Sequence, residues 1–133
     1  MSRVQLAINV GDLEKAVDFY SRLFGVEPAK RRPGYANFAV AEPPLKLVLF
    51  EQPGAGGTIN HLGVEVEAAS DVAAQTQRLA DAGFPVLTEE GVDCCYAVQD
   101  KVWVTDPDGA QWEYYTVLSN SDRAGCDTSS SCC

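Results

Sequence analysis

The 133-residue chain is long enough for one domain whose core needs neither metal nor disulfide staples. Ten basic residues against nineteen acidic ones leave a formal charge of −9, which argues against nucleic acid or an anionic membrane as partner. No apolar run approaches the roughly 20 residues that span a bilayer, and no leader-like segment precedes the first strand-like stretch, so the expectation is a cytoplasmic protein.

In chain order, Val4–Val10 alternates, with Leu6, Ile8 and Val10 on one face. Asp12 is placed to cap a helix through Leu13, Ala16, Val17, Tyr20, Leu23 and Phe24 that Gly25 ends. Strands are predicted near Tyr35–Ala41 and Leu45–Glu51, separated by Pro43-Pro44. Pro53-Gly54-Ala55-Gly56-Gly57 reads as a flexible joint, after which the order recurs. His61–Val66 alternates with Leu62, Val64 and Val66 on one face, and Ser70 or Asp71 opens a second helix that Gly83 ends. Strands follow near Val86–Thr88, Lys101–Thr105 and Gln111–Val117, the last two joined by the turn Asp106-Pro107-Asp108-Gly109. The repeat predicts an α+β domain over residues 1–118, with two βαβββ modules at about 4–52 and 59–118 whose mixed sheet curls into a cup. From Ser119 to Cys133 the chain is Ser, Asp, Gly and Cys with almost no apolar content, and reads as a disordered tail.

The five cysteines fall at positions 94, 95, 126, 132 and 133. Their odd count and the lack of CxxC spacing fit neither a disulfide framework nor a structural zinc site, so reduced thiols are expected. Cys94 and Cys95 are adjacent. Their Cα atoms lie about 3.8 Å apart across a trans peptide, closer than ordinary disulfide geometry. Two neighbouring thiolates can, however, clamp one thiophilic atom such as trivalent arsenic or cadmium. The rival readings for the pair are a small buried hydrophobe and a redox-active vicinal disulfide.

If the apolar face of each opening strand packs under its helix, Gln5, Ala7 and Asn9 point the other way, as do His61, Gly63 and Glu65. On the last strand Gln111, Glu113 and Tyr115 share one face and Trp112 and Tyr114 the other. Gln5 and His61 then occupy corresponding positions in the two modules. An amide oxygen, an imidazole nitrogen and a carboxylate suit iron(II), manganese or zinc better than calcium. Taken singly, a histidine at a strand start is more often structural, and Gln5 carries almost no signal. Their matched places in the repeat make the trio a candidate. Glu51 is a further candidate, either a fourth ligand or a strand-end carboxylate.

The paired strand-helix-strand units, His61 opening the second, and the ending Thr105-Asp106-Pro107-Asp108-Gly109 with Trp112-Glu113 resemble the vicinal-oxygen-chelate superfamily over residues 4–117. That superfamily holds glyoxalases, bleomycin and fosfomycin resistance proteins and extradiol dioxygenases. With Cys94-Cys95 and the cysteine-containing tail, the chain is similar to the iron(II)-dependent carbon–arsenic lyases and the cadmium-induced proteins related to them. The resemblance implies Fe(II) held by Gln5, His61 and Glu113, and dioxygen as co-substrate. It implies a trivalent organoarsenical such as methylarsenite bound by Cys94 and Cys95, with arsenite released. Glu51, Tyr96 beside the cysteine pair and Tyr115 on the Glu113 face form a second tier of site residues. The resemblance allows modules to pair within one chain or between chains as a homodimer. Two rival functions stand beside the lyase: a cadmium- or arsenite-binding resistance protein without turnover, and a glyoxalase-like metalloenzyme using His61, Glu113 and Glu51.

Overall fold

The computed structural model describes residues 2–122, so the tail cysteines Cys126, Cys132 and Cys133 lie outside the described residues. Within that range the elements run β1 (Arg3–Val10), α1 (Leu13–Phe24), β2 (Lys30–Arg32), β3 (Tyr35–Val40), β4 (Leu45–Glu51), β5 (Ile59–Glu65), α2 (Ala69–Asp81), β6 (Leu87–Cys94), β7 (Ala97–Thr105) and β8 (Gln111–Asn120). The architecture is α+β with mixed strand pairing. The chain separates into two compact units that divide inside β5, between Leu62 and Gly63. In chain order β5 carries His61 and opens the second βαβββ module as expected, while the division by compactness leaves His61 itself in the N-terminal unit. No helix among the described residues is long and apolar enough to cross a membrane.

In the N-terminal unit β1 pairs in parallel with β4, and β3 runs antiparallel to β4. The registers Leu6↔Leu47 and Ile8↔Leu49 stack with Phe38↔Leu47 and Ala36↔Leu49, so one face is continuously apolar. It packs on Leu13 and Val17 of α1. Each large aliphatic side chain removed from water there stabilises the fold by roughly 1.5–3 kcal/mol. The helix begins where Asp12 Oδ1 accepts from Lys15 N–H at 3.1 Å. It ends at Gly25, whose φ of 68° carries its N–H back to Ser21 O. Strand β2 was not predicted, because three consecutive basic residues show no alternation. The Gly-rich joint is also not loose. Gly57 N–H donates to Asn9 O and Asn9 N–H to Thr58 O, and a Cβ on Gly56 would lie 2.8 Å from Gly11 N.

In the C-terminal unit the order is β8-β7-β6, with antiparallel pairing throughout. Val72 and Leu79 of α2 pack on Val102, with Val66, Val104 and Tyr114 around them. Helix α2 starts at Ala69, one or two residues before the predicted start. Asp71 is its third residue and accepts from Ala68 N–H at 3.1 Å, while Ala68 has no side-chain oxygen to reciprocate. The turn at 106–109 forms as predicted: Asp106 Oδ1 accepts from the N–H groups of Asp108 and Ala110, and Gly109 takes a φ of 90°.

Two predictions fail here. The segment 88–100, left without an element between the strands predicted near Val86–Thr88 and Lys101–Thr105, is instead two paired strands joined by Cys95-Tyr96. Its acidic residues and a register shift between Glu89 and Val92 break the alternation that would have revealed it. Strand β8 also continues through Asn120, two residues beyond the predicted domain end. Ala97 pairs with Asn120 and Val98 with Ser119, so backbone pairing overrides a polar composition.

Candidate metal centre

Strand alternation places Gln5, Ala7 and Asn9 on the face of β1 away from α1. Gln5 and His61 are 4% and 3% exposed. Their side chains meet although 56 residues apart: Gln5 Nε2 is 3.2 Å from His61 Nε2. The other ring nitrogen, Nδ1, lies 2.8 Å from Asn60 Oδ1. The imidazole also sits beside Phe50, ring centroids 6.2 Å apart, and Phe50 packs on Tyr35. Both side chains are thus withdrawn from solvent. Half a turn of the Gln5 amide exchanges its nitrogen for its oxygen, so the pair can offer O and N donors to a borderline first-row cation. The donor chemistry fits such a metal.

In the C-terminal unit Glu113 and Lys101 are 2% and 1% exposed, and Lys101 Nζ lies 2.9 Å from Glu113 Oε1. The contact is one of opposite charges rather than an aligned hydrogen bond, since Oε1 accepts none among the described residues. Lys101 Nζ also stands 5.4 Å from the Trp103 ring centroid and 5.9 Å from that of Tyr115. These aromatic faces favour the buried ammonium. Trp103 Nε1–H donates to Glu89 Oε1 at 2.8 Å. A buried carboxylate requires positive charge nearby, and Lys101 supplies it here. Sequence reasoning missed Lys101. The signal is its register, Lys101↔Tyr115 beside Trp103↔Glu113, which puts it on the Glu113 face.

Backbone strain marks Cys95 and Tyr96. Cys94 closes β6, pairs with Ala97, and is followed by a two-residue turn in which Cys95 and Tyr96 have φ of 51° and 63°. Positive φ at both positions is the signature of a type I′ hairpin turn, which ordinarily takes Asn-Gly. Non-glycine residues in this region cost roughly 1–2 kcal/mol each. Cys95 is disulfide-bonded, which corrects the expectation of reduced thiols throughout.

The second-tier residues separate. Glu51 is exposed at the end of β4, where its Oε2 accepts from Leu13 N–H at 2.8 Å and caps α1. Tyr115 is buried in contact with Lys101, and Tyr96 is buried in the hairpin turn.

The model of the Glyoxalase/Bleomycin resistance protein/Dioxygenase superfamily matches residues 3–114. The chain belongs to that superfamily and has its fold. It is 64% identical over 125 residues to the cadmium-induced protein CadI of Mycobacterium tuberculosis, covering 94% of this chain and 82% of that one. It is 55% identical over 134 residues to the trivalent organoarsenical cleaving enzyme of Thermomonospora curvata, covering 100% of this chain and 89% of that one. Among solved structures, the Mn(II)-bound glyoxalase of Novosphingobium aromaticivorans superposes with a TM-score of 0.62 at 22% identity, over 96% of this chain and 43% of that one.

Proposed function

We propose that this protein is an iron(II)- and dioxygen-dependent enzyme that cleaves the carbon–arsenic bond of trivalent organoarsenicals, methylarsenite and trivalent aromatic arsenicals among them, releasing arsenite. The observation that carries the reading is the buried Gln5–His61 pair, in a chain 55% identical over its full length to an organoarsenical cleaving enzyme. Gln5, His61 and Glu113 are the residues that would hold the iron, through an amide oxygen, an imidazole nitrogen and a carboxylate. When bound, iron(II) supplies the electrons that activate dioxygen.

The remaining roles belong to the chain. Cys94 and Cys95 take up arsenic as thiolates, each sulfur displacing a hydroxyl of the trivalent substrate, which leaves as water with the thiol proton. This requires prior reduction of Cys95's disulfide by a thiol, so activity depends on a reductant. Pentavalent arsenicals are excluded until a thiol has reduced them by two electrons, because soft arsenic(III) is the state that two thiolates bind. The hairpin turn orients the substrate's carbon, and such positioning is worth roughly 7–11 kcal/mol when the geometry is right. Lys101 balances the Glu113 charge within the buried face.

A second reading, metal or metalloid sequestration without turnover, draws support from the 64% identity to a cadmium-induced protein. The glyoxalase-like reading is weaker, since Glu51 is engaged in capping α1. One assay separates them. Reduced, Fe(II)-loaded protein is incubated with methylarsenite in air and without oxygen, and the arsenic is speciated. Arsenite formed only in air supports the enzyme, and tight binding without product supports sequestration. Cys94→Ala and Cys95→Ala each lower kcat/KM on the order of 100-fold. Unchanged turnover in either variant removes the thiol clamp.

A further inference from the structure

A file of side chains runs from the Gly-rich turn to His61 and ends on the ring. Thr58 Oγ1 is 2.6 Å from Ala55 O. Asn9 Nδ2 is 2.9 Å from Thr58 Oγ1, and Asn60 Nδ2 is 3.0 Å from Asn9 Oδ1. His61 Nδ1 is then 2.8 Å from Asn60 Oδ1. All five residues lie in the N-terminal unit.

The direction of every proton in this file is fixed by its first member. A carbonyl only accepts, so the Thr58 hydroxyl must donate to Ala55 O and has no second proton to give. Thr58 Oγ1 therefore accepts from Asn9, which must present its NH2 there and turn its oxygen to Asn60. Asn60 in turn gives its NH2 to Asn9 and turns its oxygen to the ring. Both carboxamide orientations thus follow from the single hydroxyl proton of Thr58. His61 Nδ1 must carry the hydrogen, and the lone pair of the neutral ring falls on Nε2, the atom that faces Gln5 at 3.2 Å.

The anchor does not shift easily. Ala55 O also accepts from Thr58 N–H at 3.2 Å. The turn is tied to β1 by the Gly57–Asn9 and Asn9–Thr58 backbone bonds, and by the approach of Gly56 to Gly11 that excludes any side chain.

We infer that Asn60, Asn9 and Thr58 are positioning residues: the hydrogen-bond file from Ala55 O locks His61 as the Nδ1–H tautomer and so aims Nε2 as a metal ligand. The inference deepens the metal reading given above and rests on it for its purpose, while the tautomer itself does not depend on any metal. A histidine ligand whose second nitrogen donates to a fixed acceptor is better oriented and more basic. Loss of that acceptor typically weakens metal binding 10–100-fold.

The test exploits the chain's single histidine. Protein labelled with 15N-histidine gives one imidazole, and a long-range 1H–15N correlation in alkaline solution reads its tautomer directly on metal-free protein. Wild type shows Nδ1–H alone. Asn60→Ala yields a mixture of tautomers and raises the dissociation constant for Mn(II), counted as the free ion by EPR, by about 10–100-fold. Thr58→Val, at an exposed position and of similar volume, loosens the lock and weakens Mn(II) binding about 2–10-fold. Thr58→Ser restores both readouts, and circular dichroism confirms that the variants fold. An Nε2–H or mixed tautomer in wild type overturns the lock, whether or not metal binds. Normal Mn(II) affinity in Asn60→Ala overturns its role in orienting the ligand. A wild type with the stated tautomer that takes up neither Mn(II) nor Fe(II) overturns the metal reading, and with it that role.

Discussion

The two units bury polar side chains in opposite ways. In the N-terminal unit an amide and an imidazole meet with no carboxylate between them, and a file of hydroxyl and carboxamide groups satisfies the ring. In the C-terminal unit Glu113 is charged and answered by a buried ammonium, with aromatic faces around it. Neutral donors can be withdrawn from water once each hydrogen bond is replaced, whereas a carboxylate needs a counter-charge as well. The difference predicts unequal sensitivity. The amide–imidazole pair tolerates substitution and is tuned by orientation, while the ionic pair fails as soon as one member is lost.

The largest expected effect lies in the ionic pair. Lys101→Met strands a buried carboxylate and should destabilise the protein by about 3–5 kcal/mol in urea unfolding. Gln5→Leu should cost only about 1–3 kcal/mol. Adding Glu113→Gln to Lys101→Met should recover part of the loss, because the uncompensated charge is gone. Equal costs for Lys101→Met and Gln5→Leu, or a double variant less stable than Lys101→Met alone, would break the comparison.

Next in size is the strained hairpin. Under reducing conditions Cys95→Gly should stabilise the C-terminal unit by about 1 kcal/mol, since glycine adopts positive φ without steric penalty. The same variant should lose arsenical binding measured by equilibrium dialysis. Strain retained at a position where glycine would be more stable points to a chemical use for the side chain. A variant that is no more stable than wild type argues against that use.

The smallest effect compares the two helices. Helix α1 has Asp12 as its cap and Glu51 at its first turn, whereas α2 starts at Ala68 with only the return bond from Asp71. Ala68→Ser should therefore add about 0.5–1 kcal/mol, read from the thermal midpoint, because the missing half of the capping box is supplied. No gain would show that the Ala68 backbone lies outside capping geometry.

Much of the fold was legible because local chemistry and pattern agree. The alternation of Leu6, Ile8 and Val10, the Asp12 cap and Gly25 stop, and the Asp106-Pro107-Asp108-Gly109 turn each act over a few residues and appear where expected. Strand parity also placed Gln5, Glu113 and Tyr115 on the faces away from the helices, since a period of two leaves no choice once one face is apolar. The β6–β7 hairpin was not legible. Its turn uses Cys-Tyr where Asn-Gly would have announced it, and the register shift after Glu89 hides the alternation.

By itself, then, the sequence determined the two-module pattern, the opposite faces and the residue types available for a site, because these follow from short-range periodicity and capping. Tertiary structure alone decided that Gln5 meets His61, that Lys101 answers Glu113, that Glu51 serves a helix, and that Asn9, Thr58 and Asn60 line up behind the imidazole. Those outcomes depend on register and on contacts between residues distant in the chain. Pairwise distances of about 3 Å are fixed only when separate strands have taken their places, and no local pattern encodes them.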